Sequence, residues 1–236
     1  MASTIQLQRT INLAQQFLRL SPLTFTENTA NDPAFSNADW VMQTILAPPF
    51  AWRWNRNTAL PTDPTFSTTI GVSDYKINLP NFGWIEKATC YDPTNGYSAA
   101  ELLNELVIAG ETLPNQPTRI AAVLDDDEGN ITFRLFPPPD RPYNIVVEWQ
   151  GAAQLFSSLD QMWSPIPDYL SYLYNEGFQA KAYEYWNDPR FPSAYQLFMT
   201  DLAAASEGLK QTEKNLWLDN KLAVMRQTMA VQQGRG

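Results

Sequence analysis

Histidine is missing from all 236 residues of the chain. No imidazole is available for a triad, a dyad or a metal site, so a base working near neutrality would have to be a perturbed carboxylate, lysine or thiolate. Cysteine is nearly as scarce. The single Cys90 permits neither an intrachain disulfide nor a multi-cysteine zinc site, which suits a chain made in a reducing cytoplasm. Charged residues supply only 17% of the sequence, against roughly 25% in a typical globular chain. Asn and Gln fill much of the polar share, and so neutral a surface favours large permanent contacts. Glycine, at 10 residues, is outnumbered by proline at 18, which predicts rigid connections rather than floppy linkers. No run approaches about 18 consecutive apolar residues, and the start lacks a charged region followed by an unbroken apolar stretch. Neither a membrane span nor a secretion signal is predicted.

What is present argues for a folded chain. The content is 44% hydrophobic and 13% aromatic, with 8 Trp, 10 Tyr and 12 Phe, far too apolar for a disordered polypeptide. The length fits one large domain or two interleaved ones. Net charge is −9, unevenly spread: residues 1–26 and 219–236 each carry +2, leaving −13 on residues 27–218. Such a body is not built to bind nucleic acid by neutralising phosphates, because that affinity comes from Lys and Arg releasing counterions. It suits either a low-adhesion wall past which DNA slides or ordinary solubility charge.

Apolar residues at three- and four-residue steps predict a helix over Thr4–Leu20, stopped by Pro22 and a polar loop to Pro33. A second helix is predicted from the cap-type residues Ser36–Asp39 to Ala47. The period then changes. Strands are expected at 65–70, 75–79, 84–91, 119–124, 131–136 and 144–149, with an acidic hairpin tip at Asp125–Asn130 and a helical or irregular stretch at Ala99–Ile108. The helical period returns over Tyr169–Tyr185 and Ala194–Leu218, the latter weakened by Gly208. The expected fold is α+β: a helical bundle of N- and C-terminal helices (1–50 and 160–218), an inserted antiparallel β-domain (51–159) and an extended C-terminal tail (219–236), mobile in the free monomer.

Chemical signal is sparse. Counted as a calcium loop from Asp125, the acidic run puts Gly129 at the fifth position and Phe136 at the twelfth, so the pattern fails and a solvated turn is expected. Pairs such as Glu101/Glu105, Glu184/Asp188 and Asp201/Glu207 read as solvated faces rather than glycosidase carboxylates. No nucleophile elbow, phosphate loop or dinucleotide motif is present, and Cys90 without histidine reads as a buried strand residue. No catalytic, metal or cofactor site is expected. The string Phe50–Asn57 interleaves Trp52 and Trp54 with Arg53 and Arg56. It serves either packing and intersubunit contact or stacking on sugars or bases, and in a carbohydrate-recognising module Trp52, Trp54 or Trp84 would be the sugar platforms.

The strings Ala47–Arg56, Gly71–Tyr75 and Leu79–Ala88 resemble head-to-tail connection proteins of tailed bacteriophages. The segment Trp163-Ser-Pro-Ile-Pro-Asp168, with Gly177, Ala180, Ala182–Glu184 and Arg190, is similar to the C-terminal helical segment of the same group. The resemblance spans roughly residues 40–200 and its motifs are structural. It implies a non-enzymatic virion adaptor, or tail tubular protein, of the short-tailed phage type. Its copies would form a ring, usually twelvefold, between the portal and the tail nozzle, with genomic DNA passing through unbound during ejection. The implied place is the neck of the virion, assembled in the host cytoplasm, with no membrane. On that reading the portal-docking residues are Lys221, Leu222, Met225, Arg226, Met229, Val231 and Arg235. The contacts to neighbouring subunits or the tail are Trp52, Arg53, Trp54, Arg56 and Trp84. The alternative is a carbohydrate-binding or hydrolytic virion β-module.

Overall fold

The computed structural model describes residues 3–18, 33–107, 113–125 and 129–233. Five helices, α1 (Leu7–Leu18), α2 (Pro33–Leu46), α3 (Ser171–Tyr185), α4 (Phe191–Ala205) and α5 (Gln211–Gln233), flank eight strands in sequence. The strands are β1 (Arg56–Asn57), β2 (Phe66–Ser67), β3 (Asp74–Asn78), β4 (Phe82–Asp92), β5 (Ser98–Asn104), β6 (Arg119–Asp125), β7 (Asn130–Phe136) and β8 (Asn144–Gly151). Two compact units result: Met1–Trp54 with Ala153–Gly236, and Asn55–Ala152.

The expectation of a helical bundle carrying an inserted antiparallel β-domain is overturned. The sheet is mixed, ordered β1-β8-β4-β5-β6-β7-β3 with β2 on β8, and the described residues form five helices rather than four. The decisive strand is β5. Its helix formers Ala99, Ala100, Glu101 and Leu102 lie antiparallel along Tyr91–Ala88, and Leu103 and Asn104 then pair in parallel with Arg119 and Ile120. Pairing on both sides overrides a local preference for helix.

In the sheet unit, period-two alternation sends one side chain in two inward. β7 does so cleanly, burying Ile131, Phe133 and Leu135 against Ile85, Cys90, Ile145 and Val147. Phe133 meets Phe66 in a stack at 5.8 Å and Phe82 edge-on at 5.7 Å. Cys90 is fully buried on β4, and burial pushes its thiol up to about 12, so no thiolate forms near neutrality. At Gly83 the β4–β8 register slips between Phe82 and Trp84. A Cβ there would lie 2.8 Å from the Gln150 carbonyl oxygen and 3.0 Å from the Ala152 nitrogen. These are backbone atoms that cannot swing aside, so Gly83→Ala is expected to cost about 1–3 kcal/mol, the usual range for overpacking. A lowered urea midpoint checks it.

In the helical unit α3 is central, packing against α1, α2 and α4. Gly177 makes that possible: a Cβ there would meet Phe198 and Val41 at 3.0 Å. Trp163 is fully buried, stacked on Tyr174 with centroids 4.5 Å apart and met edge-on by Phe156 at 4.8 Å. The segment before α1 is stitched to the segment before α3. The Leu7 amide donates to the Gln161 carbonyl (2.9 Å) and the Trp163 amide to the Ile5 carbonyl (3.1 Å). The Asp168 carboxylate accepts from Ser3 Oγ (2.9 Å), the Thr4 amide (2.9 Å) and Thr4 Oγ1 (2.7 Å). Those donors hold Asp168 below the usual carboxylate range.

The single helix expected over Ala194–Leu218 is two. α4 ends at Ala205, where Ser206 turns to an extended conformation, and α5 starts at Gln211, so Gly208 lies in the elbow. Lys214 of α5 reaches back to donate to the carbonyls of Ala204 (3.3 Å) and Ser206 (2.5 Å), satisfying the end of α4 with a cation where the helix dipole favours one. The extended tail expected from residue 219 is also corrected: residues 219–233 continue α5.

Candidate functional site

Two surfaces of the helical unit collect several of the residues singled out by sequence. The first is an aromatic cleft of about 360 Å³ lined by Ala51–Trp54, Tyr169, Leu170, Ala205 and Glu207. Trp52 is 3% exposed and donates its indole N–H to the Ile45 carbonyl at 2.7 Å, so it forms the floor. Trp54 stacks on it at 5.4 Å and is half-buried, while Tyr169, 70% exposed, faces solvent. Arg53 spans the rim to Glu207 at 3.1 Å with both side chains largely exposed, an ion pair of little energetic weight. The burial of Trp52 removes it as a sugar platform.

Trp52, Arg53 and Trp54 are thus brought together, and Arg56 and Trp84 belong to the sheet unit instead. There Arg56 engages the Glu86 carboxylate through both Nε (2.9 Å) and its terminal nitrogen, with Glu148 at 4.0 Å. Gln150 adds its Nε2 to the same Glu86 carboxylate at 2.6 Å. Trp84 is half-buried on β4.

The second surface is α5. Trp217 seats the helix edge-on against Phe50 at 4.7 Å, and Leu218 packs on the same core. None of its side chains from 211 to 227 is fully buried, and Leu216 and Val224 are 64% and 61% exposed. Lys221 and Arg226 are exposed and Leu222 and Met225 half-buried on this helix. The side chains of Met229 and Val231, and Arg235 altogether, lie outside the described residues, as do Asp126–Glu128 of the acidic tip.

Several of the carboxylates weighed as catalytic pairs are each engaged by a cation of their own. Glu184 is bound by Lys181, Glu105 lies 3.3 Å from Arg119, and Asp188 is held at about 2 by the Arg190 guanidinium. Sequence spacing missed another pair. Glu176 of α3 faces Asp201 of α4, and burial together with that neighbour pushes Glu176 up to about 7. Twenty-five positions separate them on different helices, so no local pattern announces them. Among the described residues no three of Cys, Asp and Glu are grouped to hold a metal ion, and no helix is long and apolar enough to cross a membrane.

The Glu176 pair gives stability a pH dependence. A carboxyl whose folded value exceeds its unfolded one favours the folded state at low pH, and that contribution is lost as pH rises from about 4.5 through about 7. The loss is about 1–2 kcal/mol, discounted from the full linkage because the carboxyl is partly solvated. Asp74, Asp168 and Asp188 are lowered by their hydrogen-bonded partners and act oppositely, losing stabilisation as pH falls below about 4. Thermal unfolding followed across pH should therefore peak near pH 4–5. A Glu176→Gln variant should flatten the neutral limb and leave the acid limb unchanged.

No protein-family model matches the chain, and no curated protein matches it.

Proposed function

We propose that the chain is a non-enzymatic structural adaptor of the phage head-to-tail connector type. Copies associate into a ring, twelvefold by the resemblance, that joins portal to tail nozzle in the neck of the virion after assembly in the host cytoplasm. Genomic DNA passes through without specific binding. The observation that carries this reading is α5. Helices owe most of their stability to packing an apolar face, yet this 23-residue helix leaves its described side chains at best half-buried. A helix with Leu216, Leu222 and Met225 in these positions is suited to complete its packing against another polypeptide. The portal-docking role accordingly belongs to a helix carrying Lys221, Leu222, Met225 and Arg226. The cleft of Trp54 and Tyr169 is a second apolar surface suited to neighbouring subunits.

The low content of charged residues supports a permanent interface, and the −13 on residues 27–218 supports a lumen that repels phosphate. The test is the mass of the full chain by light scattering, alone and mixed with the portal. Ring-sized particles, or a stoichiometric complex formed only with the portal, are expected. A chain that stays monomeric in both samples overturns the reading.

A further inference from the structure

A groove of about 240 Å³ runs between α1 and α3, walled by Leu13 and Ala14 on one side and by Tyr172, Asn175, Glu176 and Gln179 on the other. Its polar lining is unbalanced. Asn175 Oδ1 and Glu176 Oε2 are shielded from solvent and accept no hydrogen bond. The amide nitrogen of Gln179 donates to the Tyr183 hydroxyl at 3.3 Å, and Thr10 Oγ1 accepts from the Trp163 indole at 3.0 Å. Asn175 Oδ1 is thus left without a donor, a costly condition for a buried oxygen, and the Glu176 carboxyl has only the proton of its hydrogen bond with Asp201.

Among the described residues, no cation of the neighbouring helices is paired with Glu176. The charge acting on Glu176 is a second carboxylate, Asp201 of α4. Arg9 of α1 acts on Asp168 and Tyr174. Lys181 of α3 is bound to Glu184 and lies 4.8 Å over the Trp40 ring. In α2, Asp39 is engaged by the Phe156 amide at 2.7 Å. The rest of the groove suits a particular shape of ligand. Leu13 and Ala14 are apolar walls for methylenes, and the Tyr172 ring, 40% exposed, offers a π-face.

We propose that the groove between α1 and α3 binds an alkyl cation: an ammonium or guanidinium on a short apolar stem, its N–H groups donating to Glu176 and Asn175. The charge comes either from a free alkylamine or from a lysine or arginine side chain of a partner protein. The proposal stands apart from the connector reading. Without the ligand, Glu176 relieves its repulsion from Asp201 by keeping a proton; with it, that proton is released.

The test uses the full-length chain, with the Asn175 side-chain amide observed by NMR. It is titrated with n-butylguanidinium, with N-acetyl-arginine amide and with neutral n-butylurea. The guanidinium should bind at least about tenfold more tightly than the urea at pH 8. It should weaken about tenfold at pH 6, where Glu176 holds its proton. E176Q, checked for fold by circular dichroism, should bind cation and urea alike. Equal binding of the arginine amide identifies a site for a presented side chain, and selective binding of the free cation identifies a small-molecule site. The proposal is overturned if cation and urea perturb Asn175 equally, if neither does, or if wild-type affinity is the same at pH 6 and pH 8.

Discussion

Trp163→Ala is expected to take about 3–5 kcal/mol from the helical unit, the range for removing a fully buried aromatic side chain. Against a total of about 5–15 kcal/mol for an ordinary domain, that is enough to leave much of the unit unfolded at room temperature. The magnitude follows from what the indole holds. It stacks on Tyr174 of α3 with an interplanar angle of 3°, takes the edge of Phe156 and donates to Thr10 of α1. One side chain thus joins α1, α3 and the segment leading from the sheet. Trp163→Phe keeps the ring contacts and loses the hydrogen bond, so it should cost only about 1–2 kcal/mol. Urea denaturation followed by far-ultraviolet circular dichroism separates the two. An alanine variant with the wild-type midpoint would show that the stack contributes nothing.

If the chain docks on the portal through α5 as proposed, Leu222→Asp combined with Met225→Asp should abolish that association and leave the monomer folded. Both side chains are only half-buried in the single chain, so a carboxylate at either position keeps its water. In a docked interface the same carboxylates would be desolvated without partners, and the expected weakening is a hundredfold or more, about 3 kcal/mol. Gln227→Asp, exposed on the same helix, serves as the control for added charge alone. Sedimentation of wild type, double variant and control with the portal reads the result. A double variant that co-sediments like wild type would remove α5 from the docking surface.

Legibility in the sequence tracked periodicity. β7 and β3 alternate cleanly, and α3 keeps its apolar residues three and four apart, so each was expected within two residues of its observed span. β5 was not, because Ala-Ala-Glu-Leu-Leu carries helix propensity and only its two partner strands make it extended. The break between α4 and α5 was announced by Gly208 and read as a weak point inside one helix. The deciding contact, Lys214 on the carbonyls of Ala204 and Ser206, exists only after the chain has bent.

The site shows the same division. Trp52, Arg53 and Trp54 were visible as a string, yet their separate roles as floor, rim and wall depend on Tyr169, Leu170 and Ala205, more than a hundred residues away. Arg56, three residues past Arg53, serves the other unit altogether. Glu176 and Asp201 are ordinary helix-surface acids in sequence and become a strained pair only through the packing of α3 on α4.

The Asp168 latch bears on the order in which a ribosome releases the parts. Ser3 and Thr4 emerge first, but the carboxylate that receives their donors is made 164 or more residues later, after the whole of Asn55–Ala152. Throughout synthesis of the sheet, α1 has neither its latch nor Trp163 to bury against. The strands, with all their pairing partners inside one continuous stretch of nascent chain, are free to close while α1 waits for the residues that follow the sheet.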